Sequence, residues 1–197
     1  IATLMTDVRQ SFAAPLSQEK LFEWHQMIMA GHRRIQPGQW RTHAEPMEVI
    51  SGPVGDETVH FEAPPSSIVP REMARFIDWF NDTSPDGSRP IKKAIVRSAV
   101  AHLYFESIHP FEDGNGRIGR ALSEKALSQS LGRPALLSLS QAIEAKRNDY
   151  YDALQQAQQT NEITPWITWF VAIALEAQVQ AEEHIDFTLR KTRLFNR

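Results

Sequence analysis

Between residues 91 and 108 the chain reads IKKAIVRSAVAHLYFESI. Ile91, Ile95, Ala99, His102, Leu103 and Phe105 recur there at helical spacing over a broad, nearly all-apolar face. A helix that is apolar around so much of its circumference is stable only when other elements enclose it. The segment therefore demands a bundle with itself at the centre, and the rest of the chain must supply the wall.

It does so with helices. Ser17 stands as N-cap before QEKLFEWHQMIM, with Leu16 and Leu21 spaced as a hydrophobic staple. Pro70 occupies the first turn of PREMARFIDWFN, where Met73, Phe76, Ile77 and Phe80 follow the i, i+3, i+4, i+7 rule. The breaker cluster NDTSPDGSRP (81–90) is a loop. RIGRALSEKALSQSL is a helix stopped by Gly132 and Pro134. Ser138 and Gln141 fit a capping box opening one helix through AIEAKRNDYYDALQQAQQ, and Thr164-Pro165 supplies N-cap and N1 for a last long one. One stretch departs from this: MEVISGPVGDETVHFEAPP (47–65) has β-type residues either side of a Gly-Pro-Val-Gly-Asp turn, which predicts a short hairpin. The fold class is mainly α with one hairpin.

At 197 residues the chain suits one domain with a substantial core. A formal net charge of −3 gives no general attraction to nucleic acid or an anionic membrane. With no cysteine, disulfides, thiolate catalysis and cysteine zinc sites are excluded together, and a reducing compartment is the simple expectation. The apolar run WITWFVAIALEAQV is broken by Glu176 and falls short of the roughly 20 residues a membrane span needs. The expected location is cytoplasmic.

The chemistry concentrates immediately after the central helix, in SIHPFEDGNGRIGR (107–120). Gly114-Asn-Gly-Arg-Ile-Gly119 satisfies G-x-G-x-x-G, but a dinucleotide fingerprint needs a strand before it and an acid about 20 residues later. Here a helix precedes it and the downstream LLSLSQ has no acid, so that reading fails. A plain turn would account for Asp-Gly-Asn-Gly. It leaves unexplained His109 four residues before Asp113, and Arg117 and Arg120 on one face of a helix start. A helix N-terminus already presents unpaired N–H groups and partial positive charge, and two guanidiniums added there suit a polyanion. Gly114 and Gly116 let the backbone wrap phosphate oxygens, Asn115 adds an amide donor, Asp113 offers a hard oxygen ligand for Mg²⁺, and His109 is the nearby base. Phosphoryl-type transfer needs little more.

His109-Pro-Phe111-Glu-Asp113-Gly114-Asn115-Gly116-Arg117-Ile-Gly-Arg120 resembles the full signature of the Fic family, H-x-F-x-D/E-G-N-G-R-x-x-R, and the resemblance extends over about 16–180. It implies a Fic-type helical bundle over 16–180, with 1–15 an N-terminal segment left from an upstream region and 181–197 a C-terminal helix end and tail. The implied activity is protein adenylyltransfer: AMP passes from ATP to a Ser, Thr or Tyr hydroxyl of a target protein, with loss of pyrophosphate. By resemblance His109 is the general base and Asp113 holds Mg²⁺. Gly114, Asn115 and Gly116 form the anion hole, Arg117 and Arg120 bind the β- and γ-phosphates, and Phe111 anchors the loop in the core. The hairpin 47–65 is the flap on which the target protein docks by strand pairing, with His60, Phe61 and Glu62 near the nucleotide. Tyr150, Tyr151 and Gln158 match the adenine pocket, although two successive helical residues cannot face the same way.

Family regulation works through a helix S/T-x-x-x-E-G/N. Ser140-Gln-Ala-Ile-Glu144 is followed by Ala145 instead, so the inhibitory helix is expected from an upstream segment or a partner protein. Alternatives to AMP transfer are another nucleotide, phosphorylation as in the toxin Doc (against which the intact Gly114 and Gly116 speak), removal of AMP, or an ATP-binding module without turnover. His102 reads as a core histidine, as do Trp166, Trp169 and Phe170 as core aromatics; His25, His32, His43 and His184 show no metal spacing, and RKTRLFNR is a solvated tail.

Overall fold

The computed structural model describes residues 2–32, 35–51, 58–137 and 139–195. Among them are helices α1 (Ala2–Ser11), α2 (Gln18–Met29), α3 (Val69–Asp82), α4 (Ala94–Ile108), α5 (Asn115–Leu131), α6 (Leu139–Ala145), α7 (Arg147–Gln158) and α8 (Thr164–Phe195). Strands β1 (Met47–Ser51) and β2 (Thr58–Ala63) form an antiparallel pair, followed by a single 3-10 turn, Ser66–Ile68.

α4 is the enclosed helix that its composition required. Its Ala101, Phe105 and Ile108 join α1, α2, α3 and α5 in one core, around Trp24, Phe76, Phe80 and the motif's Phe111. From another face, Ala99 and Leu103 join α6, α7 and α8 in a second core built on Leu154, Trp166 and Phe170. The helix also buries Arg97, whose guanidinium donates to the carbonyls of Phe80 and Ala126 at 2.7 and 3.0 Å and to Thr83 Oγ1 and Gln129 Oε1. A buried cation is tolerable when its donors are satisfied in this way.

Local signals act where the residues place them. Ser17 Oγ accepts from the Lys20 amide, and Leu16 and Leu21 are both buried. Pro70 sits in the first turn of α3 and Gly132 closes α5 in a left-handed conformation. α1 packs through Leu4 and Val8, and Lys125 Nζ from α5 donates to the carbonyls of Ser11, Phe12 and Ala14 just past its end.

Three expectations change. The central helix begins at Ala94, since Ile91–Lys93 form the return from the loop. The single helix expected after residue 138 is two, α6 and α7, broken at Lys146 (φ −127°, ψ 42°); the proposed cap Ser138 lies outside the described residues. The basic C-terminal stretch continues α8 as helix to Phe195. The hairpin register runs Met47↔Ala63, Glu48↔Glu62, Val49↔Phe61, then Ile50↔Val59, so a bulge leaves His60 as the extra residue. Its turn, 52–57, and the side chain of His60 lie outside the described part of the chain. β2 packs on α7, which brings the hairpin over the end of α4.

Candidate active site

The loop between α4 and α5 is shaped by its own residues. His109 ends α4 in a left-handed conformation (φ 49°, ψ 60°), unusual for a residue with a side chain, with its N–H bonded to Phe105 O at 3.0 Å. Phe111 is fully buried, stacked on His25 at 4.1 Å between ring centres and packed on Trp40 at 5.0 Å. Gly114 caps α5 at φ 87°, where a Cβ would stand 2.7 Å from Ile28 Cδ1. The left-handed conformation favours glycine there, and any side chain would in addition have to push the Ile28 methyl aside.

Asn115 corrects the sequence expectation. Its side chain is buried and spans the loop: Oδ1 accepts from the Phe111 amide at 2.9 Å and Nδ2 donates to Phe111 O at 2.8 Å. It is a staple for the turn, and Asn115 offers the cleft its backbone N–H only. The first-turn amides of Asn115 and Gly116 have no intrahelical carbonyl in reach, as at any helix start. Arg120 lies over this turn, its Nη1 3.2 Å from where a Cβ on Gly116 would be, and its Nε donates to Ser140 Oγ at 2.9 Å. Arg117 Nη2 donates to Asp113 Oδ2 at 3.2 Å, and the half-exposed Asp113 carboxylate also accepts from the Gly114 amide.

His109, Glu112, Asp113, Gly114, Asn115, Gly116, Arg117 and Arg120 open on one cleft of about 500 Å³ with Met47, Glu48, Ile143, Glu144, Arg147, Tyr150 and Tyr151. The two tyrosines differ. Tyr150 is a core residue whose hydroxyl bonds His102 Nε2 at 3.1 Å, with His102 Nδ1 in turn on Ser123 Oγ at 3.2 Å. Tyr151 is half-buried, its ring under the Arg147 guanidinium at 5.8 Å. Gln158 is half-buried at the end of α7 and does not line the cleft; nor do the half-buried Phe61 and the exposed Glu62, and among the described residues the flap contributes Met47 and Glu48.

Electrostatics keep the histidine neutral. Burial and the nearby Arg41 guanidinium hold the His109 imidazole down to about 4, so at neutral pH it carries a free lone pair. Its Nδ1 is buried without a hydrogen bond of good geometry, near the Glu106 backbone carbonyl, which favours the charged ring, and 3.6 Å from Oε2 of the buried Glu106 side chain.

The comparison with known sequences settles the grouping. The family model described as Fic/DOC family matches residues 15–127, more than half of the chain. The chain belongs to the Fic/DOC family. It is 29% identical over 168 residues to a protein adenylyltransferase fic-1 of Caenorhabditis briggsae, covering 84% of this chain and 28% of that protein. It is 32% identical over 155 residues to a protein adenylyltransferase Fic of Nematostella vectensis, covering 78% and 33%. The chain thus spans about a third or less of the length of these curated relatives. The fold matches a solved Fic family protein from Desulfovibrio desulfuricans G20 with a TM-score of 0.71 at 24% identity, over 94% of this chain and 53% of that one.

Within this Fic domain, two supports of the loop escaped sequence reasoning. Arg41, buried in a stretch without periodicity, donates from Nε to His109 O at 2.7 Å, from Nη2 to the carbonyls of Ile108 and Pro64, and from Nη1 to Ser66 Oγ at 2.9 Å. It joins the end of α4 to the chain leaving the hairpin. His25 accepts from the Gly38 amide at Nδ1, which places its proton on Nε2 to donate to Asp113 O at 3.2 Å. Neither has a local motif; the available signal was only that each follows a tryptophan, Trp40 before Arg41 and Trp24 before His25. Glu144 pairs with Arg147 at 4.0 Å, while Ser140 holds Arg120.

Proposed function

We propose that the chain is a protein adenylyltransferase that uses ATP. The observation that carries this reading is a neutral, buried His109 at one wall of a cleft whose floor is a helix N-terminus carrying Arg117 and Arg120. A hydroxyl of the target protein gives its proton to His109 Nε2 as its oxygen bonds to the α-phosphorus of ATP. The bond from that phosphorus to the bridging oxygen breaks, and pyrophosphate leaves. The amides of Asn115 and Gly116 and the two guanidiniums meet the negative charge on the phosphate oxygens.

No cluster of three or more His, Cys, Asp or Glu side chains suited to a metal occurs among the described residues. The single exposed carboxylate of Asp113 nevertheless fits Mg²⁺, which takes one or two carboxylates and completes its shell with phosphates and water. Bound there, Mg²⁺ would neutralise phosphate charge; Asp113 would have to release Arg117, freeing that guanidinium for the nucleotide. Tyr151 and the edge of Tyr150 form the wall for the base, and Met47 and Glu48 mark where a target segment would lie along the flap. An inhibitory helix from an upstream segment or a partner belongs to the same reading, supported by Glu144 facing Arg147 rather than Arg120. No described helix is long and apolar enough to cross a membrane. A cytoplasmic, ATP-rich location suits the activity and the absence of cysteine.

The test is incubation of the protein with Mg²⁺ and ATP labelled at either the α- or the γ-phosphate, with target-bearing lysate present, beside a His109→Ala control. Label from the α-position, appearing on protein only with wild type, supports the reading. Protein labelling from the γ-position alone replaces adenylyl with phosphoryl transfer, and no labelling from either rejects the reading.

A further inference from the structure

Glu106 is a carboxylate in the core with one oxygen left unbonded. It is 4% exposed on the last turn of α4, its Oε1 has no hydrogen-bond partner, and its Oε2 lies 3.6 Å from the equally unpartnered Nδ1 of His109. A buried carboxylate oxygen and a buried ring nitrogen both left unbonded in one turn are uncommon in folded proteins, and the two acceptors beside Nδ1 are the Glu106 carboxylate and the Glu106 backbone carbonyl. Space for the carboxylate is provided by Gly119 of α5: a Cβ there would stand 2.4 Å from Glu106 Oε1 and 3.3 Å from His102 Cε1. The charged and titratable groups around it are Arg120 from α5, Tyr150 from α7, and His102 and His109 from its own helix and its cap.

We propose that Glu106 is a positioning residue for His109, accepting the Nδ1 proton and so leaving the Nε2 lone pair directed at the cleft. The inference rests on the reading of His109 as the base. The ring geometry supports it: Nδ1 is wholly buried while the side chain is 14% exposed, so the edge reaching the cleft is the one carrying Nε2. Neutral imidazole has two tautomers, and only the Nδ1–H form can take a proton from a hydroxyl at Nε2. An ionised Glu106 selects that form. A protonated Glu106 donates to Nδ1, moves the ring proton to Nε2 and removes the base.

The sign of the pH response follows. Burial raises the Glu106 carboxyl to about 7, against the pull of Arg120, whereas His109 is already neutral above about 4. Activity should therefore rise through the ionisation of Glu106 rather than that of His109.

The experiment is long-range proton–nitrogen NMR of protein labelled with ¹⁵N-histidine, the His109 signals being assigned by their loss in His109→Ala. It compares wild type with Glu106→Gln and Glu106→Leu, well below and well above pH 7. The expected result is an Nε2–H ring at low pH and an Nδ1–H ring at high pH in wild type, with no such transition in either variant. Wild-type His109 remaining Nε2–H above pH 7, an Nδ1–H ring at both pH values (the proton then held by the Glu106 backbone carbonyl), or an unchanged transition in Glu106→Leu overturns the proposal. Kinetics add an independent readout: Glu106→Leu should lose kcat by up to the whole general-base contribution, about 10²–10⁴-fold, with KM for ATP unchanged. A parallel rise in KM would mark a merely structural role and count against it. If wild type transfers no label at all, the base reading fails, while the tautomer result still stands or falls on the spectra alone.

Discussion

Arg41 offers the sharpest test of how the loop is held. Replacing it with methionine keeps most of the side-chain volume and removes every donor. Three carbonyls, those of His109, Ile108 and Pro64, then lose the guanidinium, as does Ser66 Oγ. Arg41 is 2% exposed, so little water reaches them without rearrangement. A buried acceptor left without a donor costs about 1–3 kcal/mol. Allowing for relaxation, the sum over three is roughly 3–6 kcal/mol, a large share of the ~5–15 kcal/mol that holds a typical domain together. With a urea slope of about 2–3 kcal/mol per molar, the unfolding midpoint should fall by about 1–3 M. Arg41→Lys, a single ammonium in place of a planar fork, should lie between the two. The His109 ring should titrate above its present value of about 4, because one of the charges holding it down has gone. A midpoint within ~0.3 M of wild type, far below the loss expected from the stranded carbonyls, would refute the reasoning.

Two further outcomes follow from buried polar groups. Asn115→Ala strands both the N–H and the C=O of Phe111, and at about 1–3 kcal/mol per group the melting temperature, followed by circular dichroism, should drop by ~4–24 °C. Burial raises the Glu124 carboxyl to about 8, with Oε2 unbonded. Its stabilising effect is complete below the ordinary glutamate range and lost as pH rises through about 8. Glu124→Gln should accordingly gain on wild type steadily between pH 5 and 8, with a ceiling of ~5 kcal/mol, measured as paired urea midpoints across that range.

The parts of this molecule legible in the sequence are those whose causes are local. The Ser17 cap, the Pro70 start, the Gly132 stop and the apolar circumference of α4 each act within a turn or two, and each stands in the structure where its pattern placed it. The motif residues were legible as a set because they are consecutive and share one loop. What escaped is long-range. Arg41 finds its partners 23 to 68 residues away, and His25 reaches Asp113 across 88. The division of α6 from α7 at Lys146 lacks a proline or glycine to announce it. The Asn115 side chain was hard to place for a different reason: an amide beside glycines at a helix start suits phosphate binding and turn stapling equally, and the position of the Phe111 backbone shows the stapling.

The two cores on different faces of α4 make the domain less of a unit than its size suggests. One packed cluster draws on α1, α2, α3 and α5; the other on α6, α7 and α8; and α4 serves as their shared wall. Such blocks can open separately, each with its own free energy. The cleft lies across their seam, drawing His109 through Arg120 from one side and Ile143, Tyr150 and Tyr151 from the other. Whatever fills it becomes a rivet between the blocks, and amide exchange in α6 and α7 should slow on occupancy even where no atom of the ligand touches them.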